Sequence, residues 1–251
     1  MNLSPRISLH YRDTFTFTDN SQFLAMGTIG ETSDGRKYRW VKAGASTLVV
    51  GNVLQAPVSN TSQVDLAVNT ALMVVGASQI TVTPGAAIVA NQFQGGKLLV
   101  SNGGGFGYMY TLGSHLAGNS TVNVVFNIVG SEAVQAAANS TTRVDLIAPS
   151  FNGVIQMPTA ATAYPVGVAV APITNGQYGW VQTGGVCGVL IDGTPAIDAA
   201  VMPSTSVAGA AAAAVQTAQA ANTATTSTVI GRMVETGVAG KAKAVFLTLD
   251  A

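Results

Sequence analysis

Two histidines and one cysteine are the side chains of this chain best suited to act as bases, nucleophiles or soft metal ligands. His10 and His115 lie in unrelated contexts, and neither forms the HxxxH or HxH spacing that places two ligands on one face. The single cysteine, Cys187, excludes an internal disulfide and a cysteine zinc site. We interpret it as a small buried hydrophobic residue, with a catalytic thiol as the alternative. The sequence therefore predicts no metal site.

Nucleophilic and phosphate-binding motifs are absent from the sequence. No Gly-x-Ser-x-Gly elbow occurs, and the neighbouring Ser114 and His115 are better explained as polar turn residues than as a catalytic dyad. The glycine-rich stretch 103–107 lies between two predicted strands and lacks the Gly-Lys-Ser/Thr that opens a helix in a phosphate-binding loop. It predicts a wide, flexible turn.

Hydrolysis of a sugar polymer would need two carboxyl groups about 5–9 Å apart. Asp65, Asp145 and Asp250 lie on or at the end of predicted strands, and Glu132 begins a loop. Such a pair is possible in space, but no spacing in the sequence argues for one. We therefore predict that the chain is not an enzyme and needs no cofactor.

Charge is scarce and balanced. Lys and Arg number 11, Asp and Glu number 11, and charged residues make up 9% of the chain, against about 25% in typical soluble domains. The one short basic run (Arg36, Lys37, Arg39, Lys42) is typical of a solvated strand face, so nucleic acid is not an expected direct partner. No tract has membrane quality, and no apolar leader follows Met1, which predicts cytosolic synthesis and no membrane partner.

Alternating segments between Gly, Asn, Pro and Ser clusters predict short strands that position these side chains. Residues 121–128 place Val122, Val124, Phe126 and Ile128 on one strand face. About a dozen such segments predict an all-β protein with two small β-sandwich or barrel modules and little helix. The alanine tract near 208–221 is the expected helix, with a loop as the alternative.

An internal repeat is the sharpest pattern in the sequence. Tyr38 and Trp40, followed by Val41 and a glycine, recur as Tyr178 and Trp180. We interpret each copy as a β-hairpin whose Tyr and Trp share a strand face and anchor a module core, the alternative being coincidence in a Gly- and Val-rich chain. A real repeat predicts a first module over 35–130, a linking segment over 131–164 and a second module over 165–251.

Residues 1–34 predict an extended N-terminal arm. Aromatic and charged residues are denser there than elsewhere, and Phe15 and Phe17 alternate with threonines like a strand that adds to another sheet. Arg6, Arg12, Phe15 and Phe17 are therefore candidate contact residues, although an edge strand of the protein's own first module explains the pattern equally well. The uncharged, apolar composition further predicts homo-oligomerisation, with a symmetric trimer favoured.

Five segments carry a resemblance: the Gly-x-x-Tyr-x-Trp-Val-x-Ala-Gly stretch from Gly35, and residues 48–57, 91–100, 165–169 and 178–185. They resemble a pattern in structural proteins of tailed bacteriophages that are encoded near the major capsid protein. The resemblance covers about 35–251 and leaves the arm unmatched.

This resemblance implies a β-rich, non-enzymatic capsid decoration or cement protein, found in the virion after assembly in the host cytoplasm. The major capsid protein would be its partner, and Arg6, Arg12, Phe15 and Phe17 would contact the capsid. A head or tail fibre, or an adhesin that binds host surface glycans, is the alternative. A cell-wall hydrolase with a close acid pair comes third.

Overall fold

The protein is described from a computed structural model, which covers residues 6–16, 19–58, 60–130, 132–214 and 228–250. Strands account for 41% of the chain and helix for 4%, so the predicted all-β class is confirmed. The helical elements of the described residues are α1 (Tyr11–Thr16) and a 3-10 turn (Thr61–Gln63). No helix in this described part is long and apolar enough to cross a membrane.

The chain forms two compact units, unit 1 (residues 1–58 and 150–251) and unit 2 (residues 59–149). These boundaries differ from the predicted modules over 35–130 and 165–251. The predicted linking segment over 131–164 does not link modules, because its residues supply one strand to each unit. In the chain, unit 2 is inserted between two strands of unit 1.

Unit 1 contains four strands before this insertion and seven after it. In chain order they are β1 Ile7–Leu9, β2 Ile29–Thr32, β3 Lys37–Ala43, β4 Val53–Gln55, β11 Asn152–Gln156, β12 Pro165–Ala169, β13 Tyr178–Leu190, β14 Ala200–Pro203, β15 Ala211–Ala213, β16 Gly231–Met233 and β17 Ala242–Thr248. The sheet order is β1-β2-β3-β11-β4-β12-β13-β17-β16-β14-β15. A further pairing of β3 with β13 closes β3, β11, β4, β12 and β13 into a five-stranded barrel.

The two repeat copies pair with each other instead of forming separate hairpins. β3 and β13 are antiparallel neighbours, and Trp40 lies directly opposite Trp180. The predicted hairpins are wrong for two reasons. After the second copy, the aliphatic stretch continues in the same 13-residue strand, β13. After the first copy, the next strand is β4, and β11 lies between β3 and β4 in the sheet. Both copies therefore belong to unit 1.

The repeated aromatic residues lie at the centre of the unit 1 core. Tyr38 and Trp40 are fully buried and Trp180 is buried, while Tyr178 is partly buried and packs against this core. The Trp40 and Trp180 ring centroids are 5.1 Å apart in an edge-to-face arrangement. The Trp40 and Tyr178 rings stack at 6.4 Å. These contacts join the two strands whose pairing closes the barrel.

The N-terminal residues that the structure describes are part of unit 1 and do not extend as an arm. β1 pairs in parallel with β2 at one edge of the sheet, so the edge-strand alternative applies to residues 7–9. Phe15 lies in α1 rather than in a strand. The alanine tract also differs from its predicted helix, because Ala211–Ala213 form β15, and residues 215–221 of the tract lie outside the described residues.

Unit 2 is a six-stranded, nearly closed barrel. Its strands are β5 Leu66–Ala67, β6 Gln79–Val82, β7 Lys97–Asn102, β8 Met109–His115, β9 Val124–Ile128 and β10 Arg143–Ile147. They are ordered β5-β10-β7-β8-β9-β6, and a single bridge between Val68 and Val82 joins the two outer strands. Buried Val124, Phe126 and Ile128 follow the predicted alternation along β9.

Asparagine side chains build the turns of unit 2. The Oδ1 atoms of Asn60, Asn69, Asn119 and Asn139 each accept a hydrogen bond from the backbone N–H two residues later, at 2.9–3.2 Å. These Asx turns satisfy backbone donors where the chain reverses. At Asn119 and Asn139 the hydroxyls of Thr121 and Thr141 donate to the same oxygens.

The tryptophan pair makes a stability prediction. Trp40→Ala should lower the free energy of unfolding of unit 1 by about 3–5 kcal/mol, because it removes a fully buried indole and leaves a cavity beside Trp180. Chemical denaturation followed by circular dichroism measures the loss. Leu116→Ala, at an exposed site of unit 2, is the control and should change little. An equal effect of both substitutions would contradict the central role of the pair.

Candidate functional site

The four predicted contact residues are not brought together as one surface. Arg6 is exposed and its Nη1 lies 3.4 Å from Glu31 Oε2. Phe15 is partly buried and packs against the unit 1 core. Arg12 is exposed on α1, and Phe17 lies outside the described residues.

The basic run on β3 is occupied by contacts within unit 1. Arg39 Nε and Nη2 donate to the two carboxylate oxygens of Asp250 at 2.6 and 2.8 Å. Lys37 Nζ donates to the Asp250 carbonyl at 2.8 Å. Lys42 Nζ lies 5.4 Å from the Tyr178 ring centroid. These charges therefore hold the sheet together rather than forming a phosphate-binding patch.

The Arg39–Asp250 pair is partly shielded from water, with about a quarter of each side chain exposed. Burial raises the pKa of the Asp250 carboxyl, but hydrogen bonds from Arg39 and Thr183 and the positive charge of Arg39 outweigh burial. The pKa of Asp250 therefore lies below its ordinary value of 3.8. The carboxylate is held ionised as a structural partner.

A groove of ≈ 400 Å³ lies beside this pair. One wall of the groove is polar and contains Arg36, whose Nε lies 2.8 Å from Asp34 Oδ2. The other wall is apolar and contains Val186 of β13 and Phe246 of β17, which are paired across the two strands. Hydrogen bonding from Thr32 and the Arg36 charge lower the pKa of Asp34. Asp34 and Asp250 both line the groove with lowered pKa values, so neither is held protonated as a general acid must be.

The carboxylates of two further candidate acids, Asp145 and Glu132, accept structural hydrogen bonds. Asp145 Oδ1 accepts from the backbone N–H of Asp65 at 2.8 Å. The Glu132 carboxylate accepts from the backbone N–H and the hydroxyl of Thr111 at 2.8 and 3.0 Å. These contacts fix turns and strand ends. Within the described ranges, no three His, Cys, Asp or Glu side chains lie together where they could hold a metal ion.

His115 and Cys187 are buried among packing contacts. His115 Nε2 accepts from the Phe93 N–H at 3.0 Å, and Nδ1 lies 2.9 Å from the Leu116 carbonyl oxygen. With both ring nitrogens bonded to backbone, the imidazole is not positioned as a base for Ser114. Burial raises the pKa of the Cys187 thiol to about 12. Such a thiol is inert as a nucleophile at neutral pH.

Unit 2 carries the least charge of the chain. Residues 59–149 include five charged side chains: Asp65, Lys97, Glu132, Arg143 and Asp145. Yet 13 large apolar side chains of its described residues are exposed, including Leu116 and Val89. Exposed apolar surface on this scale is typical of an interface. Unit 1 also exposes 13 large apolar side chains among its described residues, but on a longer stretch of chain that carries most of the charge, so low charge is what distinguishes unit 2.

One end of the unit 2 barrel collects parts of three of its connections, residues 68–78, 103–109 (which ends on the first residue of β8) and 133–142, which we call the loop end. The third connection begins at residue 129, and its charged residue, Glu132, precedes the loop end and is hydrogen-bonded to Thr111. The three segments contain no charged residue. The Gly76 N–H donates to the Val134 carbonyl at 2.8 Å, and the Ala138 N–H donates to the Met73 carbonyl at 2.9 Å. The Thr142 hydroxyl contacts the Gly104 carbonyl at 3.3 Å.

The glycine-rich turn of the loop end is packed, which corrects the expectation of a flexible turn. Gly103 has a φ of 76°, and a Cβ on Gly104 would lie 2.3 Å from the Ala137 carbonyl oxygen. Only glycine fits this close approach of two backbones. The turn consequently presents Phe106 outward from a fixed backbone, beside the partly exposed Tyr108 and Met109.

Thiol reactivity tests the environment of Cys187. We expect the native protein to react negligibly with an aromatic disulfide reagent at about pH 8, because the buried thiol stays protonated there. The denatured protein should release one equivalent of chromophore within seconds to minutes. Absorbance before and after adding guanidinium measures both states. Rapid reaction of the native protein would contradict the buried, protonated thiol.

Acid titration tests the Arg39–Asp250 pair. The pKa of Asp250 is lowered in the folded protein. The free energy that its ionised carboxylate contributes to stability is therefore complete above pH 3.8 and is lost as the pH falls through the lowered pKa. Scanning calorimetry from about pH 7 to pH 2 should show a smaller acid-induced fall in Tm for Asp250→Asn, which starts from a lower Tm. Asp198→Asn removes an exposed partner of Arg232 and is the control. Identical acid responses of wild type and Asp250→Asn would refute the prediction.

Comparison with known proteins adds no assignment. No family model, no curated protein and no solved structure matches this chain. The functional argument therefore rests on the sequence segments and on the surfaces described above.

Proposed function

We propose that the protein is a capsid decoration protein that binds the outer surface of a tailed-phage head and stabilises the shell. The observation that carries the proposal is unit 2, which combines five charged residues with 13 exposed large apolar side chains. Covering such a surface with a partner contributes about 25 cal/mol of favourable free energy for each Å² of apolar area buried, before the entropy cost of ordering is subtracted. The resemblance of five segments to phage structural proteins supports the shell as that partner.

The major capsid protein is the proposed partner, and the virion is the proposed location. A shell repeats one binding surface many times, so an interface of roughly 1,000 Å² per copy would strengthen the whole lattice. Arg6 and Arg12 of unit 1 are proposed as additional contacts with the shell, since both are exposed. Phe15 contributes indirectly at most, because it packs on its own core.

Binding to undecorated, expanded shells tests the proposal. We expect saturable binding and a higher shell melting temperature. Because the proposed contact is apolar and nearly uncharged, affinity should change less than about threefold between 0.05 and 0.5 M salt, roughly the range over which ionic contacts are screened. Cosedimentation and calorimetry measure both effects. Absence of saturable binding would refute the decoration role.

A second candidate function, glycan binding by an adhesin or fibre component, is supported by the groove of unit 1. Phe246 is half exposed there, near the carboxylates of Asp34 and Asp250, a combination that suits a sugar ring with its apolar face and hydroxyls. A glycan array with wild type and Phe246→Ala separates the two candidates. Specific binding that Phe246→Ala removes would favour the adhesin, whereas no binding by either protein removes this candidate.

A further inference from the structure

The loop end of unit 2 exposes a cluster of large apolar side chains that the fold of its own chain does not use. Six of them are exposed by 44–74%: Leu72, Val74, Val75, Phe106, Tyr108 and Met109. At these fractions they present roughly 600 Å² of mostly apolar surface, at the upper limit of the largest patch on an ordinary monomer. The cluster is therefore larger than scattered surface hydrophobic residues explain.

The backbone beneath this cluster is already ordered. Segment 133–138 is hydrogen-bonded to the 73–77 turn, and the Gln135 N–H donates to the Tyr110 hydroxyl at 3.1 Å. Gly105 and Gly107 hold φ values of 84° and 85° on either side of Phe106. The backbone N–H groups of Phe106, Gly107 and Tyr108 donate to the carbonyls of Gly103, Val100 and Gly105, so a partner that covers Phe106 orders its side chain but not this turn, which lowers the entropy cost of binding.

We propose that the loop end is the surface through which copies of this chain associate into a symmetric homo-oligomer. Two copies of the patch would bury roughly 1,200 Å² of mostly apolar surface, which reaches the standard size of a stable interface, about 1,200–2,000 Å². The three segments contain no charged residue, and the neighbouring Glu132 carboxylate is hydrogen-bonded to Thr111, so identical surfaces that meet about a symmetry axis bring few like charges together. Uncharged Asn102, Gln135 and Asn139 supply a polar margin.

The opposite arrangement, in which a foreign protein provides a pocket for Phe106, is an outcome of the test. Self-association needs only the patch already present on each copy. The loop end uses six of the 13 exposed apolar side chains of unit 2, which leaves the other seven for the proposed contact with the shell. The test of self-association uses the purified protein alone, so its failure is distinguishable from a failure of shell binding.

Paired double variants test the proposal. Phe106→Ser with Val75→Ser removes two side chains of the loop end, which are 74% and 66% exposed. Leu116→Ser with Val89→Ser, at sites outside the loop end that are 79% and 67% exposed, is the matched control in the same unit. All four side chains are exposed, so both variants should keep the wild-type circular dichroism spectrum. The Tm of the loop-end variant should fall to that of the monomer, because association of folded copies raises the Tm.

Size-exclusion chromatography with light scattering at about 1–100 µM reports the mass against the 25.4 kDa chain. We expect wild type and control to have an integral multiple of this mass and the loop-end variant to be monomeric, with self-association weakened at least about 100-fold. Monomeric wild type at the highest concentration overturns the proposal and leaves a foreign partner. An oligomer that persists in the loop-end variant, or that the control loses equally, also overturns it.

Discussion

The antiparallel pairing of β3 with β13 is the contact on which unit 1 depends. It sets Trp40 opposite Trp180, two residues 140 positions apart in the chain, and it closes a row of strands into a barrel. A closed barrel removes two sheet edges that would otherwise offer unpaired backbone groups. The edge-to-face indoles fill the space where these strands meet, so packing and hydrogen bonding stabilise the same pairing.

Closure of the unit 1 barrel also determines which residues its charged side chains contact. Arg39 lies on β3, and Asp250 follows β17, which pairs with the far half of β13. The bidentate contact between them joins the two sides of the sheet next to the tryptophan pair. The few charged side chains of this apolar chain thus make internal contacts, and His115 and Cys187, two of the side chains that could have done chemistry, are buried.

Unit 2, in contrast, is built with few charged residues. Its turns are built from asparagine, glycine and threonine, which satisfy the backbone without ions, and its few charges lie on or beside strands. A barrel of this kind can expose apolar side chains at its ends because the strands themselves are nearly fully paired. The two units differ in charge rather than in exposed apolar surface. Among the described residues each exposes 13 large apolar side chains, but unit 1 carries the tryptophan pair and the ion pairs, whereas unit 2 has five charged residues.

The sequence determined the fold class, because period-2 alternation and turn residues are local properties that each segment carries by itself. It also marked Tyr38, Trp40, Tyr178 and Trp180, since a repeated spacing is visible in one dimension. Only the tertiary structure decided that the two copies pair within one unit, because similar strands can form two hairpins or one ladder, and the choice depends on long-range closure. The same reason explains the helix at Phe15, the strand at Ala211–Ala213 and the packed turn at Gly104: in each, contacts from distant segments outweighed local propensity.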